Sequence, residues 1–83
     1  MTRIAKLLTR ARANQRGLSY RELERLLAAF GFVLDRTVGS HRHYVHERVP
    51  GILTVLPDGK VVKPSLVRRL LAMADQYGLD VTE

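Results

Sequence analysis

All three histidines of the chain fall within Gly39-Ser40-His41-Arg42-His43-Tyr44-Val45-His46, beside an arginine and a tyrosine. Imidazole titrates near pH 6.5, so a histidine gives or takes a proton near neutrality and suits general acid or base catalysis. Val38-Gly39-Ser40-His41 reads as a two-residue hairpin connection, because glycine at the first central position is what a type II′ turn requires. His41 then opens the outgoing strand, along which side chains alternate. His41, His43 and Val45 share one face; Arg42, Tyr44 and His46 share the other. Gly39 lets a phosphate approach the backbone closely, and the N–H groups of a turn can form an anion-binding nest. Taken locally, Gly39-Ser40 is an ordinary hairpin turn and His41 an exposed histidine at a strand end. His41 and His43 could also chelate a metal, but catalytic zinc usually takes three protein ligands. No third is evident, since Glu47 lies four residues beyond His43 and the chain turns soon after.

The flanking elements decide which face is open. Residues 4–13 place Ile4, Leu7, Leu8 and Ala11 on one stripe of an amphipathic helix whose other face is arginine, and Asn14-Gln15-Arg16-Gly17 ends it. A second helix starts at Ser19 as N-cap, with Glu22 completing a capping box and Leu18 and Leu23 spaced for a hydrophobic staple. Leu23, Leu26, Leu27 and Phe30 form its buried stripe and Gly31 its left-handed stop. Residues 32–38 then read as a strand, with Phe32, Leu34 and Val38 on one face and Asp35 and Thr37 on the other. A second strand covers 41–47. Val49-Pro50-Gly51 leads to a third, 52–56, and Pro57-Asp58-Gly59 is a further turn signal. Lys60-Val61-Val62 is either a short fourth strand or an extended connection. The last helix starts at Pro64, a favoured first position, and buries Leu66, Leu70, Met73 and Tyr77 with Val67, Leu71 and Ala74. Gly78 stops it, and residues 80–83 are expected to fray.

With 83 residues the chain has room for one domain and no deep cavity. Its lack of cysteine removes disulfides, thiolate metal sites and a thiol nucleophile, and fits a reducing compartment. No apolar run approaches the ~20 residues that span a bilayer. Arg3 and Lys6 before Leu7-Leu8 lack the sustained apolar stretch of a signal peptide, so the chain reads as cytoplasmic. The net charge is +6, and Arg3, Lys6, Arg10, Arg12 and Arg16 lie within the first 17 residues without one acid. That balance favours a polyanion such as nucleic acid, or an acidic protein; the plainer reading is a solvated helix face.

Phe30-Gly31-Phe32, Arg36, Gly39-Ser40-His41, Tyr44 and the Lys60 to Leu79 stretch together resemble the HicA family of bacterial toxins from toxin-antitoxin modules. The shared pattern is a helix ending in an apolar residue and Gly-Phe, a strand, Gly-Ser-His, an aromatic three residues later, and a C-terminal helix. Gly59-Lys60 and Lys63-Pro64 before the last helix resemble one branch of that family. The resemblance covers residues 17–79 well and the first helix loosely. Where many members have a histidine after the third strand, this chain reads Thr54-Val55-Leu56-Pro57-Asp58, so any histidine role there is absent.

The resemblance implies an α+β fold like the double-stranded-RNA-binding domain: a three-stranded antiparallel sheet covered on one face by helices, with an extra N-terminal helix. Residues 1–83 then form one domain, 1–17 the basic helix and 18–79 an α-β-β-β-α core. It also implies an mRNA interferase, an endoribonuclease whose functional histidine is His41, and a HicB-like antitoxin partner. RNA carries its own nucleophile, the 2′-hydroxyl, so the enzyme need only move protons and stabilise charge at phosphorus. No metal or cofactor is expected. Gly39, Ser40, Arg36, Lys60 and Lys63 are the expected RNA contacts, the lysines because they precede the positive N-terminus of the last helix. His43 is either a second proton-transfer or RNA-contacting group or a solvated strand residue. Tyr44 belongs to the core, His46 is structural or incidental, Arg42 points away from His41, and Arg68 and Arg69 read as a solvated helix face. The rival readings are a non-catalytic RNA-binding module and a small DNA-binding domain with its arginine-rich helix in a groove.

Overall fold

The computed structural model describes residues 2–57 and 59–82, so Asp58 of the expected Pro57-Asp58-Gly59 turn and Glu83 of the tail lie outside the described residues. Helix α1 (Arg3–Ala13) opens on Thr2, whose Oγ1 accepts the Ala5 N–H at 3.2 Å, and buries Leu7 and Ala11. Helix α2 (Tyr20–Phe30) has the expected capping box. Ser19 Oγ accepts the Glu22 N–H at 3.1 Å, and Glu22 Oε1 accepts the Ser19 N–H at 3.0 Å. Two donors that a helix start leaves unpaired are thereby satisfied, while Leu18 and Leu23 pack fully buried across the entry. Arg10 of α1 reaches the same carboxylate at 2.7 Å. The Ser19 backbone bond, and behind it the Arg10 guanidinium, hold the Glu22 carboxyl below its ordinary 4.5 against the opposing effect of burial.

Three strands, β1 (Val33–Val38), β2 (His41–His46) and β3 (Val49–Val55), form an antiparallel sheet in the order β1-β2-β3. Helix α3 (Pro64–Gln76) follows and buries Val67, Leu70, Leu71 and Ala74. These residues join Leu23, Leu26, Leu27 and Phe30 of α2 with Tyr44, Leu53 and Val55 of the sheet in one apolar core. Helices thus cover the Tyr44 face, as an isolated sheet of this size requires. The fold is the expected α+β arrangement, and the His41 face of the sheet is open.

Details of the sheet depart from the sequence reading. A bulge between Leu34 and Arg36 sets Leu34 opposite Tyr44 but Arg36 opposite His43 and Val38 opposite His41. Leu34 and Val38 therefore lie on opposite faces instead of sharing one, because one extra residue reverses the alternation. All six residues of this edge strand are exposed, and Phe32, expected inside it, precedes it and is buried. The second turn is Glu47-Arg48, not Val49-Pro50-Gly51: His46 pairs with Val49, and Pro50 and Gly51 lie within β3 where the register shifts. Proline is tolerated there because β3 is an edge strand, where a missing N–H need not break a ladder.

Lys60-Val61-Val62 is an extended connection with a single bridge, Val61 to Ser19, and the Val62 N–H donates to Leu18 O at 2.8 Å. It ties the start of α3 to the start of α2. The tail does not fray as expected through residue 82. Leu79 is buried, and Thr82 donates its N–H at 2.8 Å and its hydroxyl at 3.2 Å to Ala29 O.

Candidate functional site

The turn at Gly39-Ser40 has the conformation its residues call for. Gly39 has φ +61°, and Ser40 after it, like every other non-glycine among the described residues, has no positive φ, which matches a type II′ turn with glycine first. His41 follows on the open face, exposed, and its side chain makes no hydrogen bond or ion pair with any described residue. One alternation further, about 7 Å along the strand, His43 stands half-buried with Arg36 opposite it on β1 and Thr54 opposite it on β3. Its Nδ1 is 2.9 Å from Thr54 Oγ1. Arg36, His43 and Thr54 thus form a polar row across the sheet, with His41 beside it.

The opposite face of β2 is committed to structure. Arg42 donates to Glu24 of α2 at 2.8 Å. Tyr44 is buried, and burial, reinforced by the Glu24 carboxylate, pushes its phenol above its ordinary 10. A phenol held neutral in this way is no base near pH 7. His46 uses both ring nitrogens: Nδ1 accepts the Arg48 N–H at 3.0 Å, so Nε2 carries the proton and donates to Phe30 O at 3.0 Å. Its ring also meets Phe32 edge-on, with centroids 5.1 Å apart. The three histidines therefore separate into one free, one tethered and one built into the fold.

A groove of about 360 Å³ adjoins the polar row where β3 ends beside the starts of α2 and α3. Tyr20, Leu56 and Leu66 make its apolar walls, and Lys63 and Arg69 supply two cations. Thr54, the partner of His43, also lines it, so groove and histidine row share one side chain. Of the expected phosphate contacts, Lys63 lies in the groove and Arg36 on the open face, whereas Lys60 is exposed on the connection and is not among the groove's lining residues.

Thr54, Tyr20 and Arg69 escaped the sequence reading. Thr54 could be paired with His43 only once the Glu47-Arg48 turn and the register shift behind it were known. Arg69 carried a local signal, since it lies four residues after Ser65 and three after Leu66 and so neighbours both on the helix surface. In the basic first helix, two of the five cations are spent inside the molecule, Arg10 on Glu22 and Arg12 on Asp75 of α3 at 2.9 and 3.2 Å. Among the described residues no three histidine, aspartate or glutamate side chains are grouped to hold a metal ion.

The family model for the HicA toxin of bacterial toxin-antitoxin systems matches residues 20–76, from the start of α2 to the end of α3. The chain belongs to the HicA family. Its match spans all three strands that carry the polar row and all of the groove, and leaves out the basic helix α1. No curated protein and no solved structure gives a significant match. A HicA-family chain is the toxin of a toxin-antitoxin pair, so an antitoxin partner is implied. Among the described residues no helix is long and apolar enough to cross a membrane.

Proposed function

We propose that this HicA-family toxin is an mRNA endoribonuclease of the cytoplasm that works without a metal ion, with His41 as its general acid or base. The observation that carries the reading is the freedom of the His41 side chain on the uncovered sheet face, beside Arg36 and His43. Attack of a ribose 2′-oxygen on the adjacent phosphorus forms a 2′,3′-cyclic phosphate and breaks the bond to the 5′-oxygen. The 2′-hydroxyl loses a proton and the leaving 5′-oxygen gains one. An imidazole held in reach of either oxygen lowers the barrier to that transfer.

Charge that builds on the phosphoryl oxygens needs donors. Arg36 stands on the same face, and the Gly39-Ser40 turn leaves open space beside its first residue, since a methyl group on Gly39 would meet nothing within 4 Å. Lys63 caps the start of α3, where backbone N–H groups favour phosphate, and Lys60 on the preceding connection extends the contact along the RNA. His43, steadied by Thr54, is placed either to contact RNA or to carry the second proton. Residues 1–83 act as one domain in this reading, and the antitoxin is a HicB-like protein that covers the open face.

The ion pairs of Arg10 and Arg12 weigh against the DNA-binding alternative, because a helix that spends cations on its own fold has fewer for a groove. The deciding experiment incubates purified protein with labelled RNA and excess chelator, alongside a folded His41→Ala variant. Cleavage by the parent alone supports the reading. Binding by both with cleavage by neither would replace it with a non-catalytic RNA-binding module.

A further inference from the structure

We infer that the groove between β3, α2 and α3 receives one unpaired nucleotide of the RNA next to the scissile bond, and so acts as a specificity subsite. The inference rests on the ribonuclease reading for its place in catalysis, but not for its binding chemistry. At about 360 Å³ the groove lies at the small end of the roughly 300–1,000 Å³ typical of small-ligand sites. It suits one nucleotide and is too small for a duplex. Its walls match the two halves of that ligand. The Tyr20 ring, with Leu56 and Leu66 beside it, offers apolar surface that an unstacked base can contact. Lys63 and Arg69 offer the charge that a phosphodiester needs, and Ser65 adds a hydroxyl.

Two features argue that these walls serve a ligand and not only the fold. Leu56 remains 40% exposed at the groove edge, whereas Leu53 and Val55 of the same segment are buried in the core. Neither Lys63 nor Arg69 makes an ion pair with a described residue, although Arg10, Arg12 and Arg42 all do. Thr54 then connects the groove to the chemistry: it lines one side and meets His43 Nδ1 at 2.9 Å. A nucleotide seated in the groove would thus hold its neighbour over the histidine row. Duplex RNA cannot deliver a base there without unpairing it, so the occupant is single-stranded.

The test uses the full chain carrying His41→Ala, so that the probe is not consumed, and measures affinity for a labelled single-stranded RNA and for the same RNA as a duplex. Arg69→Ala and Leu56→Ser are each expected to weaken single-strand binding by about five- to tenfold, the loss of one good contact at a partly exposed site, while duplex binding changes less than twofold. Arg68→Ala removes the same charge from the neighbouring exposed position outside the groove and is expected to change neither. Equal losses for Arg68→Ala and Arg69→Ala, or for single strand and duplex, would overturn the inference in favour of a general cationic surface. If the otherwise native toxin cleaves RNA but the groove variants keep its affinity and its cut sites, the groove is wrong and the ribonuclease reading stands. Groove-dependent single-strand binding by a chain that cleaves nothing would support the groove and sink the catalytic reading.

Discussion

Strand β2 begins and ends on a histidine, and the two ends have opposite fates. At His41 the ring follows a tight turn on the uncovered face and touches no polar partner among the described residues. At His46 the ring bridges Phe30 O and the Arg48 N–H, lies edge-on to Phe32, and sits against Gly31. The same side chain is thus left reactive at one end and consumed as a structural clip at the other. The sorting is done by strand alternation: five residues apart, the two histidines must face opposite ways. One face meets helices and demands satisfied polar atoms; the other meets solvent or substrate.

Breaking the free end should cost activity and little else. His41→Ala is expected to lower RNA cleavage by about 10²–10⁴-fold, the usual worth of a positioned acid or base, with a thermal midpoint unchanged within a degree or two. Substantial cleavage by the folded variant would remove His41 from the mechanism. The committed end should behave in reverse. His46→Ala leaves Phe30 O and the Arg48 N–H without their partner and should lower stability by about 2 kcal/mol in denaturant titration, with the activity per folded molecule retained. Gly31→Ala attacks the same clip from the other side. Gly31 has φ +97°, and an added Cβ would stand 2.9 Å from His46 Nε2, so a loss of about 1–3 kcal/mol is expected. A stable Gly31→Ala protein would show that the clip yields easily and that the contrast between the two ends is shallow.

His43 lies between these extremes and sharpens the comparison. Thr54→Val removes the hydroxyl that His43 Nδ1 meets, at nearly constant volume. A fall in cleavage of about three- to tenfold with unchanged folding would mark the bond as positioning. The effect should be absent from a protein that already carries His43→Ala, because a partner that acts only through His43 has nothing left to orient.

The histidine pattern was legible because alternation is a local property, and the capping box, staple and Gly31 stop were legible for the same reason. What escaped depended on residues far apart in the chain. The bulge at Asp35 and the break near Pro50-Gly51 each insert residues that no period of two can register, so the faces of β1 were misjudged and the cross-strand partners of β3 could not be read. The role of His46 requires knowing that the end of α2, sixteen residues earlier, returns to the β2–β3 turn. Arg69 could be placed in a groove only after Val62 was seen to tie α3 to Leu18 and so bring Tyr20 across. Thr82 docked the tail through a carbonyl of α2 that composition could not reveal.

The smallest effect tests whether the contrast of free and committed groups extends to the basic helix. Arg10 is committed through Glu22, whereas the side chains of Arg3, Lys6 and Arg16 make no ion pair among the described residues. Glu22 has its carboxyl lowered, first by the Ser19 backbone bond and then by Arg10, so the unfolded chain binds the proton more readily than the folded one. Its stabilising effect is therefore complete above the ordinary value of 4.5 and is lost as pH falls through the lower folded value. Glu22→Gln keeps an oxygen for the Ser19 N–H but abolishes the charge facing Arg10. Stability at pH 7 should drop by less than about 1 kcal/mol, as for a solvent-accessible pair. Below pH 4.5 the parent and variant curves should converge, because protonation gives the parent the same neutral group. A constant gap down to pH 3 would mean that the packing of Glu22, and not its charge, joins α1 to α2, and that Arg10 is as free to meet a polyanion as Arg3.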